Sequence, residues 1–116
     1  MNDMPYALPI PYRDPLGAFA AFAGESNVAF LDSAAENGGR GRYAYIAANP
    51  FWVLSGGEKT NPFDSLEAEL KRFPMRNDPD LPPFQGGAVG YLSYELGRHL
   101  ERLPPLVDPG LDVSDV

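Results

Sequence analysis

His99 is the only histidine in the chain, and it is the first residue that asks for chemistry. General acid–base catalysis needs a partner within hydrogen-bond reach, yet the flanking Arg98 and Arg102 place His99 on an exposed, solvated helix face. Glu95 and Glu101 stand six residues apart and do not share one face of a helix as paired acids would. Asp32-Ser33 has no histidine set by any nucleophile motif, so a hydrolase reading has nothing to stand on. One histidine with scattered carboxylates also lacks metal-ligand spacing. Two glycine clusters invite a phosphate cradle. Gly38-Gly39-Arg40-Gly41 lacks the lysine followed by serine or threonine that a P-loop requires. Gly86-Gly87-Ala88-Val89-Gly90 falls inside an expected strand, whereas a dinucleotide fingerprint needs a helix N-terminus to hold the pyrophosphate. From its residue types alone the chain is therefore assigned no catalytic residue, no metal and no nucleotide.

The elements that position these residues are short and heavily punctuated. Pro5, Pro9 and Pro11 hold the first thirteen residues as an extended arm or edge strand, since proline fixes φ and its predecessor avoids the helical region. Asp14-Pro15 then supplies an N-cap and a first helical proline. Leu16, Phe19, Ala20 and Ala23 share one face, which predicts a helix over 15–23 that Gly24 stops. Val28 to Leu31 reads as a buried strand and Arg42 to Ala48 as a second, with a glycine-rich loop over 34–41 between them. Phe51 to Leu54 resumes extended structure up to a hairpin signal at Gly56-Gly57. Asn61-Pro62 repeats the capping device, and Phe63, Leu66, Leu70 and Phe73 mark a helical stripe that Pro74 closes. After a polar, proline-rich connector, Gly87 to Tyr94 predicts a third strand, whose internal glycines suggest a close backbone approach or a bulge. A short helix over 95–103 follows. The mixture lacks strict strand–helix alternation, so the expected class is α+β on a mainly antiparallel sheet with two or three short helices.

Composition bounds the partners. With 116 residues the chain is one domain's worth, read as a single domain over 1–116. Hydrophobic content of 44% argues for a core, while 13 prolines and 12 glycines argue for many turns. A net charge of −7 repels phosphate backbones and anionic membranes. The short basic clusters Arg40/Arg42 and Lys71/Arg72 do not overturn that, so neither nucleic acid nor membrane is an expected partner. There is no cysteine, no apolar run long enough to span a bilayer, and no signal-peptide pattern at the start. A soluble cytoplasmic protein is expected.

One long stretch carries more information than its parts. Phe84-Gln85-Gly86-Gly87-Ala88-Val89-Gly90-Tyr91-Leu92-Ser93-Tyr94-Glu95-Leu96-Gly97-Arg98, continued by Glu101 and Leu103-Pro104, resembles a hallmark of the component I chains of chorismate-utilising enzymes. Upstream, Phe30-Leu31-Asp32-Ser33 and then Arg42-Tyr43-Ala44-Tyr45-Ile46-Ala47-Ala48-Asn49-Pro50 are similar to a second family segment. Within the family, Leu96-Gly97-Arg98 looks more like aminodeoxychorismate synthase, because anthranilate synthases tend to place a valine-like residue where Gly97 stands. The matches span most of 28–104.

The resemblance implies the amino-terminal part of an aminodeoxychorismate synthase component I, which aminates chorismate to 4-amino-4-deoxychorismate in folate biosynthesis. Anthranilate synthase component I is the alternative, and a free-standing small-molecule-binding domain is a third. It implies an incomplete part of the family fold, with the chorismate-binding domain and its magnesium site in a carboxy-terminal region outside this chain. The chain alone is then expected to be inactive, to hold no cofactor, and to self-associate through surfaces that the missing region would cover. For the intact enzyme the resemblance implies a glutamine amidotransferase subunit as ammonia donor. In anthranilate synthases the segment that Asp32-Ser33 matches helps build a feedback pocket for tryptophan. Ser33, Arg42 and Tyr43 are accordingly the implied effector-binding residues, with Asp32 in the place of the family's glutamate.

Overall fold

The computed structural model describes residues 3–35, 37–56 and 61–102. The Gly56-Gly57 hairpin signal and the end of the helix expected over 95–103 lie partly outside those residues. The elements follow the order α1 (Pro15–Ala20), β1 (Ala29–Leu31), β2 (Tyr45–Ala47), α2 (Pro62–Arg72) and a 3-10 helix (Tyr94–His99). This is an α+β arrangement with a small antiparallel sheet and short helices. The chain divides into two compact units, one of 1–51 with 75–89 and one of 52–74 with 90–116.

In the first unit the sheet is a two-stranded antiparallel pair, with Ala29 facing Ala47, Phe30 facing Ile46 and Leu31 facing Tyr45. Successive side chains leave a strand on opposite faces, so Phe30 and Ile46 share one face while Leu31 and Tyr45 share the other. Helix α1 covers the first face: the rings of Phe19 and Phe30 stack at 4.9 Å between centroids, 13° from parallel. Residue 84 covers the second, with the Phe84 ring set edge-on to Tyr45 at 5.6 Å. Aromatic contacts on both faces give this short ribbon the packing that an isolated hairpin lacks.

The Asp14-Pro15 start forms as its chemistry dictates, with the Gly17 N–H donating to Asp14 Oδ2 at 3.0 Å. Its end differs from the expectation. Helix α1 stops at Ala20 and continues as single turns, in which Phe22 N–H donates to the Phe19 carbonyl at 2.8 Å and Glu25 N–H to the Phe22 carbonyl at 2.9 Å. Of the four residues on its expected common face, Phe19 stacks on Phe30 of the sheet, whereas Leu16 is 67% exposed. Ala20 and Ala23, which continue the face past Phe19, offer too little apolar area to hold a longer helix down.

In the second unit α2 keeps its expected frame. Asn61 caps it by accepting from the Phe63 N–H at 3.1 Å, and Pro62 at the first helical position is fully buried. Both Glu69 carboxylate oxygens accept from Arg72 Nη1, at 2.8 and 2.9 Å, and Glu67 pairs with Lys71 one turn on. These pairs place acids N-terminal to bases, as the helix dipole favours. Asn61→Ala should lower stability by about 1 kcal/mol, because one orphan N–H then loses its acceptor. A urea melt checks this, and an unchanged midpoint would show that the cap contributes nothing.

The third strand expected over 87–94 does not form. Residues 88–93 belong to no ladder, and the 3-10 helix takes over at Tyr94. The glycines explain part of it: Gly87 has φ +119, outside the strand region, and a Cβ at Gly87 or Gly90 would meet nothing within 4 Å. The anticipated close backbone approach is therefore absent there. The connector before it is held differently, by a side chain standing in for a backbone pair. Gln85 accepts from the Asp78 N–H at 2.8 Å and donates to the Asp78 carbonyl at 2.7 Å.

Candidate functional site

The first unit concentrates the implied effector residues at one end of its ribbon. Ser33 lies two residues past β1, and its backbone N–H donates to Asp32 Oδ1 at 2.8 Å, which turns the chain out of the strand. Arg42 and Tyr43 lie just before β2. Continued by two residues, the register that pairs Leu31 with Tyr45 would set Ser33 across from Tyr43. The intervening loop is drawn in to suit this. Gly41 adopts φ +72, and a Cβ built on it would fall 2.1 Å from the Ala35 carbonyl oxygen and 3.4 Å from that of Ser33. The backbone beside Arg42 thus runs against the backbone of 33–35.

From Arg42 an aromatic series runs along the ribbon face. The guanidinium carbon lies 5.2 Å from the Tyr43 ring centroid, a cation–π contact. Tyr43 and Tyr45 approach at 6.2 Å with rings tilted by 37°. Tyr45 meets Phe84 edge to face at 83°, and its hydroxyl accepts from the Phe84 N–H at 3.4 Å. Ser33, Arg42 and Tyr43 are all exposed, Tyr43 at 36%. Tyr45 is half-buried and anchors the series.

The arrangement offers a row of aromatic rings tilted against one another, with a cation at one end and a part-exposed phenol beside it. Aromatic faces of this kind take planar rings, and the guanidinium suits a carboxylate. Among the described residues no three His, Cys, Asp or Glu side chains stand close enough to hold a metal ion. No described helix is long and apolar enough to cross a membrane.

The alternation of Tyr43 and Tyr45 signals a shared strand face, and the structure does set their rings together. Phe84 was not placed at this site by sequence reasoning. It joins from a segment 39 residues away along the chain, a distance over which no local pattern operates.

No family model matches the chain, and no solved structure matches it. Curated relatives do. The chain is 36% identical over 112 residues to anthranilate synthase component 1 of Thermus thermophilus, covering 88% of this chain and 24% of that protein. It is 40% identical over 97 residues to the Streptomyces coelicolor protein of the same name, covering 82% of this chain and 18% of the relative. Over 76 residues it is 37% identical to the Saccharomyces cerevisiae protein, also anthranilate synthase component 1, covering 61% and 15%. The chain therefore spans about a quarter or less of the length of these relatives. Over most of its own length it is similar to one segment of anthranilate synthase component 1, a homologue of part of those chains.

Proposed function

We propose that these residues form a structural and effector-binding part of an anthranilate synthase component 1, a chorismate-utilising enzyme of tryptophan biosynthesis. The observation that carries this is the 36% identity to the Thermus thermophilus protein across 88% of the chain. The relatives' shared name favours anthranilate synthase over the aminodeoxychorismate synthase that Leu96-Gly97-Arg98 suggested. That motif keeps aminodeoxychorismate synthase as the second reading.

Under this proposal the chemistry belongs to the longer enzyme, with its chorismate, its magnesium and an amidotransferase subunit that donates ammonia, in the cytoplasm. The chain's own contribution is the ribbon face. Arg42 and Tyr43, with the backbone of Ser33 beside them, would receive tryptophan: the indole on the tyrosine face and the carboxylate toward the guanidinium.

Two measurements test this. The continuous gene that carries these codons, expressed and supplied with chorismate, magnesium and ammonia, should yield anthranilate. Accumulation of 4-amino-4-deoxychorismate instead would overturn the proposal in favour of the second reading. The purified 116-residue chain under the same conditions should consume no chorismate. In the longer enzyme Tyr43→Ala should weaken tryptophan inhibition by about tenfold, the loss of a stacked ring and its cation–π partner. Unchanged inhibition would remove the effector role from this face.

A further inference from the structure

The arm before α1 is built to pair along one edge only. Residues 5–13 lie in no helix, ladder or turn. The arm is tethered at both ends within its own unit: the Asp3 carbonyl accepts from the Arg76 N–H at 2.8 Å, and Asp14 caps α1. Between those points Tyr6, Leu8, Ile10 and Tyr12 occupy alternate positions and are exposed by 94, 71, 74 and 87%. In an extended chain these four side chains share one face, and their N–H and C=O groups share one edge. The other edge belongs to Pro5, Ala7, Pro9, Pro11 and Arg13, three of which have no N–H to offer. Prolines therefore blunt one edge and leave the other complete.

We infer that this open edge binds the same edge of a second copy of the chain, forming a two-stranded antiparallel ribbon about a two-fold axis. The arm is self-complementary in that register. With Pro9 facing its own mate, Leu8 faces Ile10 and Tyr6 faces Tyr12, and all of these even positions are hydrogen-bonded pairs. Every proline falls at a non-bonded position with its ring side outward, so no hydrogen bond is forfeited. The even side chains of both copies then line one face, aliphatic at the centre and aromatic at the ends, which is the isologous pattern that closes at two. Leu8 and Ile10 each precede a proline and are already biased to extended backbone, so little conformational entropy remains to be lost on pairing. The net charge of −7 opposes association, but residues 5–13 contain no acid and a single base, Arg13. Repulsion therefore acts between the bodies and not along the ribbon. This inference does not depend on the enzymatic reading.

Proline placement tests it, because moving a missing N–H from one edge to the other leaves composition nearly unchanged. Sedimentation of the chain along a dilution series should show a monomer–dimer equilibrium. Leu8→Pro removes two ladder bonds per dimer, one from each copy, and should weaken association by about a hundredfold. Ala7→Pro removes only an outward N–H and should leave the dissociation constant within about twofold. Hydrogen exchange supplies the second readout. The amides of Tyr6, Leu8, Ile10 and Tyr12 should gain protection as concentration rises, and those of Ala7 and Arg13 should not. The arm belongs to no element, so the Phe19–Phe30 packing serves as an internal check that both variants remain folded. A monomer at every concentration would overturn the inference. So would a dimer that treats Leu8→Pro and Ala7→Pro alike, or one whose arm amides show no alternation, since association would then run through another surface such as the exposed Phe51 or Tyr94.

Discussion

Leu96→Ala should lower the stability of the chain by about 2–5 kcal/mol, the range for removing a large aliphatic side chain from a closed site. Leu96 is only 2% exposed, whereas the nearby Leu100 is 72% exposed. The two leucines sit four residues apart at the 3-10 helix and its cap, so they differ in burial far more than in local backbone. Leu100→Ala is the matched control and should change stability by no more than about 0.5 kcal/mol. The contrast is large relative to the reserve, because domains of this size hold roughly 5–15 kcal/mol in all. Urea denaturation followed by far-UV circular dichroism would measure both. Equal midpoints for the two variants would mean that the burial of Leu96 does not contribute to folding.

The neighbourhood of Leu96 adds a reason for its placement. Arg98 donates to Glu95 at 2.6 Å across one turn, with both side chains about a quarter exposed. That pair brackets the leucine and stabilises the short 3-10 turn that carries it inward. The segment read as a family hallmark therefore has a structural task of its own, apart from any chemistry in a longer enzyme.

What the residues revealed in advance divides along a physical line. The caps at Asp14 and Asn61 were legible because a cap is local: one side-chain oxygen reaches an N–H two or three residues on, and proline follows at the position that wastes no donor. The β1–β2 pair was legible as two apolar runs around a glycine-rich loop, though both strands are shorter than their apolar patterns. The expected third strand failed because a strand is a relation between two segments, and 88–93 joins no ladder among the described residues. Helix α1 ended early for a similar reason, since its length depended on apolar contacts that alanines do not supply. At the ribbon face, Ser33, Arg42 and Tyr43 emerged from resemblance alone. The Arg42–Tyr43 contact is local, whereas Phe84 arrives through tertiary packing from far along the chain.

Gly41→Ala is expected to open the loop that brings the two halves of the ribbon face together. Two independent penalties act at this position. The backbone stands at φ +72, where an L-residue with a Cβ loses about 1–2 kcal/mol relative to glycine. The new methyl would also fall 2.1 Å from the Ala35 carbonyl oxygen, a backbone atom that no rotamer change can move aside. Either the 33–35 segment withdraws or Gly41 leaves its conformation, and both separate Ser33 from Arg42. Gly39→Ala isolates the first penalty, because Gly39 has φ +81 but nothing within 4 Å of its built Cβ. The expected order is therefore wild type, then Gly39→Ala, then Gly41→Ala, with the last step the larger. Amide shifts of Ser33 and Tyr43 should move in Gly41→Ala and stay in place in Gly39→Ala. Under the effector role proposed for this face, only Gly41→Ala should then reduce tryptophan inhibition in the longer enzyme, because it alone separates Ser33 from Tyr43. If the two alanine variants have equal stability and equal shifts, the 33–41 closure is not what organises this face.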